Sequence, residues 1–530
     1  PKLGRPRGHS CEPRSSLTTS LPCEDRLLVR AYSRIPKRTN STLMNAKHLS
    51  KSAAVRARLD HPIIDSDGHQ VEFGPIFLDF LKEVGGASAA DRYKNGTGID
   101  PIFAGGWREL TPAQRNDRRA MRPTWWACPA RNTRDLATAT FPKLFHERMP
   151  EMGLDVSVIY PTAGLLTIQI ADEEVRRASC RALNRMKAEM FAGTADRLIP
   201  VATIPMHTPE EAIDELQYAV GELKLRAIMM ASLVRRPIKA AMRISPEAGA
   251  YSYWIDTFGL DSDHDYDPVW AQCVKLGVSP TFHSVGYGWG SRATPSSYIH
   301  NHLGNFASSA DAICRGLVMG GVPKRFPQLK FAFMEGGVAW ARTLYCDLVS
   351  HWAKRNRAAL ENYNPSLVDR EEFIDLADRY GGRLVNGRAD DLVAAYQSLM
   401  TRGEDPAMID EWAPSGIKDS QDICDIFTRQ FYFGCEGDDP MVTLASETKG
   451  TPFDAKLCAL YGSDLGHWDV PEMAEAAEEA YELVEQGVLS ETAFRDIVFA
   501  NAAEFWTSGN PDFFKGTAVE SAVNKLLASP

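Results

Sequence analysis

The chain has 530 residues, a formal net charge of -10 and a pI near 5.7, an acidic balance that excludes non-specific attraction to nucleic acid or to an anionic membrane surface. Its 44% hydrophobic and 24% charged residues are those of a globular protein with a substantial core, and no apolar run reaches the roughly 18 residues of a transmembrane helix. Ten cysteines without a CxxC pair point to reduced thiols in a cytoplasmic protein, not to a disulfide framework.

Residues 1–60 are rich in Arg, Lys, Ser and Pro with short apolar patches, and read as an N-terminal arm over its own domain or a neighbouring subunit. From residue 61 short apolar runs alternate with amphipathic stretches. The runs are HPIID (61–65), DVSVIY (155–160), IPVATIP (199–205), LRAIMM (225–230), SPTFHSV (279–285), LKFAFME (329–335), RQFYFG (429–434) and LCALYGSD (457–464). The spacing between them predicts helices at 166–193, 208–220, 266–276, 305–325, 337–363, 469–486 and 491–505. Eight strands alternating with helices favour an α/β fold of the (β/α)8 type, a TIM-like barrel over residues 61–505, and Rossmann and P-loop fingerprints are absent. Two excursions, at about 80–150 and 364–428, exceed a minimal barrel and are expected on the active-site face, and residues 506–530 read as a C-terminal tail.

The polar residues that close these apolar runs converge on one face of a barrel. The first run leads into DSDGHQVE, with Asp65, Asp67 and His69; the fifth contains His283; the sixth ends on Glu335; the eighth ends on Asp464, with His467 just beyond. Residues two apart on a strand share a side, so Asp67 and His69 can both face the barrel mouth and grip one ion. Buried carboxylates at apolar strand ends are costly unless paired or bound to metal, and a mixed carboxylate–imidazole set suits iron, zinc or manganese. Asp65 is expected to orient the turn or a ligand from behind, and Glu72 to face outward. His302, in SSYIHNHLGNF, is the better of two nearby histidines for a proton-transfer role. Trp107, Trp126, Tyr160, Tyr287 and Trp289 are candidate pocket residues for an aromatic or terpenoid-like small molecule.

These segments carry a family likeness. IIDSDGH resembles the strand-one IDxHxH of the amidohydrolase superfamily, TFHSVG its strand-five histidine segment, FAFMEGG its strand-six HxGG segment and YGSDLGH its strand-eight GSDxPH segment. The likeness spans roughly residues 61–505 and is to the amidohydrolase-related branch that includes aminocarboxymuconate-semialdehyde decarboxylase. His69, His283 and Asp464 match that pattern directly, whereas Asp67 and Glu335 stand where the family usually has histidine. Two carboxylates in place of imidazoles make the site harder and more negative. This altered pattern resembles the non-haem di-iron thiocarboxylic acid hydrolases, which implies one or two divalent ions with iron favoured. LRAIMM has no lysine, so the bridging carbamylated lysine of some binuclear members is not implied.

The resemblance implies a metal-dependent hydrolase of a carboxyl-type or thiocarboxyl-type substrate. Asp67, His69, His283, Glu335 and Asp464 would hold the metal, Asp464 would act as general base, and His302 and His467 would assist. Non-oxidative decarboxylation of an aromatic or unsaturated carboxylic acid is the alternative, and a non-catalytic structural barrel the third reading. The arm and the family likeness together imply a homodimer or higher homo-oligomer.

Overall fold

The computed structural model describes residues 49–95, 107–123, 131–284, 290–385, 387–388, 390–391, 393–395, 409–467 and 470–528. Eight parallel strands follow one another around a barrel: β1 (Ile64–Gln70), β2 (Val156–Pro161), β3 (Leu198–Ile204), β4 (Ala227–Ala231), β7 (Pro280–His283), β8 (Phe331–Phe333), β9 (Phe431–Glu436) and β10 (Cys458–Gly462). Between β4 and β7 lies an antiparallel hairpin, β5 (Val234–Pro237) with β6 (Tyr253–Asp256). The barrel closes just past the end of β10, where Asp464 N donates to Asp67 O at 2.9 Å and His69 N to Leu465 O at 2.9 Å. This is the (β/α)8 architecture expected from the alternation of apolar runs, with long insertions.

The strands are buried on both faces, which is why they read as near-continuous apolar runs. On β7, Phe282 points outward and packs edge-on against Trp270 of the helix Asp267–Leu276. Thr281 points inward and accepts the hydroxyl of Tyr160 from across the barrel at 2.8 Å. Phe331 of β8 stacks with Phe282 and also meets Trp270. Trp270 is fully buried, so Trp270→Ala is expected to cost about 3–5 kcal/mol of unfolding free energy. A denaturant midpoint within error of wild type would contradict that packing.

Helix ends follow local chemistry. Asp172 accepts from Val175 N to start the helix Glu173–Met190, and Thr208 with Glu211 forms a capping box ahead of Pro209. Gly277, in the left-handed region at φ 67°, ends the helix Asp267–Leu276.

Three features differ from the sequence expectation. The first strand runs over 64–70 and so includes the polar motif instead of stopping before it. Hydrogen bonds within the barrel hold the side chains of Asp65 and Ser66, and Asp67 and His69 face the barrel mouth, so hydropathy underestimates its length. The hairpin has no counterpart among the predicted strands because VRRP and YWID are short, and its register is tied by an Arg236 Nε–Asp256 Oδ2 ion pair at 2.9 Å. The helix Gly74–Lys94 is not among the predicted helices and runs into the span assigned to the first excursion, and Gly86 kinks it, at φ 77°.

Residues 51–58, within the span assigned to the arm, form a helix whose buried Ser52 accepts from Glu478 N at 3.0 Å. Within the span assigned to the C-terminal tail, Phe513, Phe514 and Val523 are buried in the main core. Among the described residues no helix is long and apolar enough to cross a membrane.

Candidate metal centre

At the C-terminal ends of the strands a set of ionisable side chains is withdrawn from water. Side-chain exposure is 0% for His69 and His283, 3% for Glu335, 4% for Asp67, 5% for Asp464 and 12% for His467. Their atoms nearly touch. His69 Nε2 lies 3.4 Å from Asp67 Oδ1 and 3.3 Å from Asp464 Oδ1. His283 Nε2 lies 3.1 Å from Glu335 Oε2 and 3.8 Å from Asp67 Oδ1. His467 Nδ1 sits 2.6 Å from Asp464 Oδ1.

Backbone carbonyls set the histidine tautomers. His69 Nδ1 faces Pro161 O at 3.3 Å and His283 Nδ1 faces Ser284 O at 2.9 Å, so each Nδ1 carries the hydrogen and donates it. That leaves the Nε2 lone pairs of both rings directed at carboxylate oxygens. Asp67 Oδ1, His69 Nε2 and His283 Nε2 are buried and make no hydrogen bond. Lone pairs converging on lone pairs in a dry pocket call for a proton or a metal cation between them. Among the described residues two groups of ligand atoms are placed to hold a metal ion, each with its members within 4.8 Å of one another: Asp67, His69 and His283, and His69, Glu335, Asp464 and His467. The donor set of imidazole nitrogen and carboxylate oxygen fits a divalent transition metal.

Electrostatics agree with the geometry. Burial pushes the Asp67 carboxyl well above its usual range, with the neighbouring Asp65 and Glu436 adding to the rise. Burial holds His69 well below the usual imidazole value, helped by His467, His283 and Lys187. It also lowers His283 and His467 to about 3. All three rings are therefore neutral at pH 7, the form in which imidazole binds metal.

The backbone contributes as well. Glu335 and Asp464 adopt left-handed conformations, at φ 57° and 48° respectively. For residues with a Cβ this costs of the order of 1 kcal/mol, and it occurs here at two strand ends that meet over the barrel mouth. Gly462 is needed for close approach, because a Cβ there would lie 2.8 Å from the Cβ of Asp67.

The other sequence candidates are placed as follows. The His467 ring stacks on His69 at 3.8 Å between centroids, and its Nε2 meets Thr162 Oγ1 at 3.2 Å. His302 falls outside both ligand groups; it packs on Tyr298 and Phe306, and Phe306 packs edge-on against His283. Tyr160 is buried with its ring 6.0 Å from His69 and 5.6 Å from His283. Trp107 donates to Pro295 O at 3.1 Å and lies under the guanidinium of Arg115. Trp126, Tyr287 and Trp289 lie outside the described residues. Glu72, expected to face outward, accepts from Ala163 N at 2.8 Å and Gly164 N at 3.3 Å, steadying the loop that carries Thr162. Sequence reasoning missed Thr162, since a threonine after a strand carries no distinguishing signal.

A closed parallel barrel with a buried carboxylate–imidazole cluster at its C-terminal mouth defines a metal-dependent enzyme. Residues 148–382 match the family model described as Amidohydrolase. A curated relative, 2-amino-3-carboxymuconate-6-semialdehyde decarboxylase of Dictyostelium discoideum, is 27% identical over 165 residues, which is 31% of this chain and only 38% of that protein. Solved structures of similar shape include an amidohydrolase from Mycobacterium avium subsp. paratuberculosis, 16% identical over 84% of this chain and 100% of that one, with a TM-score of 0.47. Another is dihydroxybenzoic acid decarboxylase from a Polaromonas species, with bound manganese and 2-nitroresorcinol, 15% identical over 86% and 99% of the two chains with a TM-score of 0.44.

Proposed function

We propose that the chain is a metal-dependent decarboxylase of an aromatic or unsaturated carboxylic acid. The observation that carries the metal reading is the convergence of Asp67 Oδ1, His69 Nε2 and His283 Nε2, buried and without hydrogen bonds, on one point. Asp67, His69, His283, Glu335 and Asp464 would hold the ion. The likeness over 165 residues to a decarboxylase moves decarboxylation ahead of the hydrolysis that the sequence alone put first. A bound divalent ion supplies positive charge that anchors a carboxylate and stabilises electron density developing beside it.

The chain's own residues manage the proton. When the carbon–carboxylate bond breaks, carbon dioxide leaves and the electron pair stays on the substrate carbon, which then takes a proton. Asp464 is the candidate donor, because it lies in the cluster with its Oδ1 2.6 Å from Nδ1 of His467, the most exposed member of the set. His467, held by Thr162 on its far side, is placed to return a proton from solvent to Asp464. Neutral Nε2 atoms on His69 and His283 leave the metal as the source of positive charge in a pocket otherwise acidic.

A second reading, water-dependent cleavage of a carboxyl or thiocarboxyl compound over two ions with iron favoured, draws support from the two overlapping ligand groups. Both readings are tested by supplying hydroxybenzoate and unsaturated dicarboxylate panels to metal-loaded protein and measuring carbon dioxide against water incorporation. Carbon dioxide release in step with substrate loss is the expected result. Incorporation of one oxygen from labelled water without carbon dioxide would overturn decarboxylation in favour of hydrolysis.

A further inference from the structure

The carboxylate of Asp65 faces neither solvent nor the ligand cluster, yet it is fully buried. Four donors surround it. Its Oδ1 accepts from Asp67 N at 3.1 Å and from Ser463 N at 2.9 Å. Its Oδ2 accepts from Ser463 Oγ at 2.7 Å and from Ser157 Oγ. These donors come from β1, from β2 and from the residue that follows β10, so a single carboxylate ties three chain segments where the barrel closes.

The strand register explains why the carboxylate is there. Asp65 pairs with Ser157 and Gly68 with Ile159, so three steps on β1 oppose two on β2. That extra residue is a β-bulge, which breaks the ladder locally and re-aims a side chain. The bulge falls at Ser66 and Asp67. The Asp67 N–H gives its hydrogen to the side chain of Asp65, while Ser66 Oγ accepts from Trp506 Nε1 at 3.3 Å. Gly68 makes room for the clamp, since a Cβ at that position would lie 2.5 Å from Ser157 Oγ and 2.7 Å from Asp65 Oδ2. Asp464 is tied to the same unit through its backbone: it follows Ser463 and donates its N–H to Asp67 O.

We propose that Asp65 is a positioning residue: its carboxylate, held by Ser157 and Ser463, stabilises the bulge that turns Asp67 into the barrel and sets the spacing of Asp67 and Asp464. The DSDGH motif then divides its labour. The first aspartate builds the bulge, the second faces the ion, and the glycine admits the clamp between them. Ser157 and Ser463, unremarkable in the sequence, complete the unit. The proposal rests on the metal reading given above.

The test is a Co2+ titration of metal-free, full-length wild type and of the Asp65→Ala, Asp65→Asn and Ser463→Ala variants, followed by visible absorption. Asp65→Ala is expected to weaken Co2+ binding about 10–100-fold, the range found when groups behind metal ligands are removed, and to shift the cobalt bands. Asp65→Asn keeps an acceptor for both backbone N–H groups and is expected to restore most of the affinity. Ser463→Ala removes one donor and is expected to give a smaller loss in the same direction. If Asp65→Ala fails to fold, Ser463→Ala and Asp65→Asn decide. Folded variants that bind Co2+ as wild type does, with unshifted bands, would leave Asp65 a structural residue only and overturn the proposal. Wild type that binds no Co2+ would instead overturn the metal reading, and the positioning role with it.

Discussion

Asp67→Asn is expected to lower metal affinity and raise the stability of the metal-free protein in the same variant. The affinity loss should be at least about 100-fold, because removal of groups that only orient a ligand already costs 10–100-fold. The gain in stability follows from the sign of the pKa shift. The Asp67 carboxyl is raised well above 3.8 by burial and by Asp65 and Glu436. The unfolded chain therefore releases a proton that the folded chain retains, and stability falls as pH rises above 3.8. An amide in the same volume removes that penalty, worth about 1 kcal/mol or more, as replacing a buried charge commonly is. Calorimetric unfolding with and without Mn2+ checks both halves: the metal-induced rise in Tm should shrink while the metal-free Tm increases. A variant with unchanged metal response would take Asp67 off the ligand set. Glu335→Gln is expected to show the same loss of affinity, since its carboxylate lies 3.1 Å from His283 Nε2.

The second large effect is acid sensitivity of the metal-free protein. Burial lowers His69 well below 6.5 and takes His283 and His467 to about 3. These rings are neutral when folded and protonate when unfolded, so the unfolded state binds more protons below pH 6.5 and stability falls as pH drops from 6.5 towards 3. Each ring contributes about 1 kcal/mol per pH unit well inside that window. The raised Asp65 and Asp67 work in the opposite sense and soften the slope. Urea midpoints in chelator at pH 7.5, 6.5 and 5.5 should decline progressively, and His283→Asn should make the decline shallower by one proton. A midpoint independent of pH would contradict the buried, neutral histidines.

Much of the barrel could be read from the chain because its strands are buried on both faces. Runs such as DVSVIY have little other fate, and β2 lies within one residue of its expected place. β1 was underestimated for the opposite reason. Five of its seven residues, Asp65, Ser66, Asp67, His69 and Gln70, are polar and buried, and only the fold supplies their partners.

At the site, Asp67, His69, His283, Glu335 and Asp464 stood out as polar residues closing apolar runs, and the fold brings all five together. The left-handed backbone at Glu335 and Asp464 and the stacking of His467 on His69 depend on contacts between strands far apart in sequence. Hydropathy cannot report these. The β-bulge is similarly hidden, because alternation along DSDGH suggests that Asp65 shares the direction of Asp67 and His69, whereas the extra residue sends it to the seam with β10.

Whether the cluster at the barrel mouth holds a divalent cation decides the function. Elemental analysis of the full-length protein, stripped with chelator, reloaded separately with Fe2+, Mn2+, Co2+ and Zn2+ and freed of excess metal, tests this directly. The expected result is at least one tightly held ion per chain for one or more of these metals, abolished by Asp67→Asn. Far less than one ion per chain for every metal, with Tm unchanged on reloading, would contradict a metal centre.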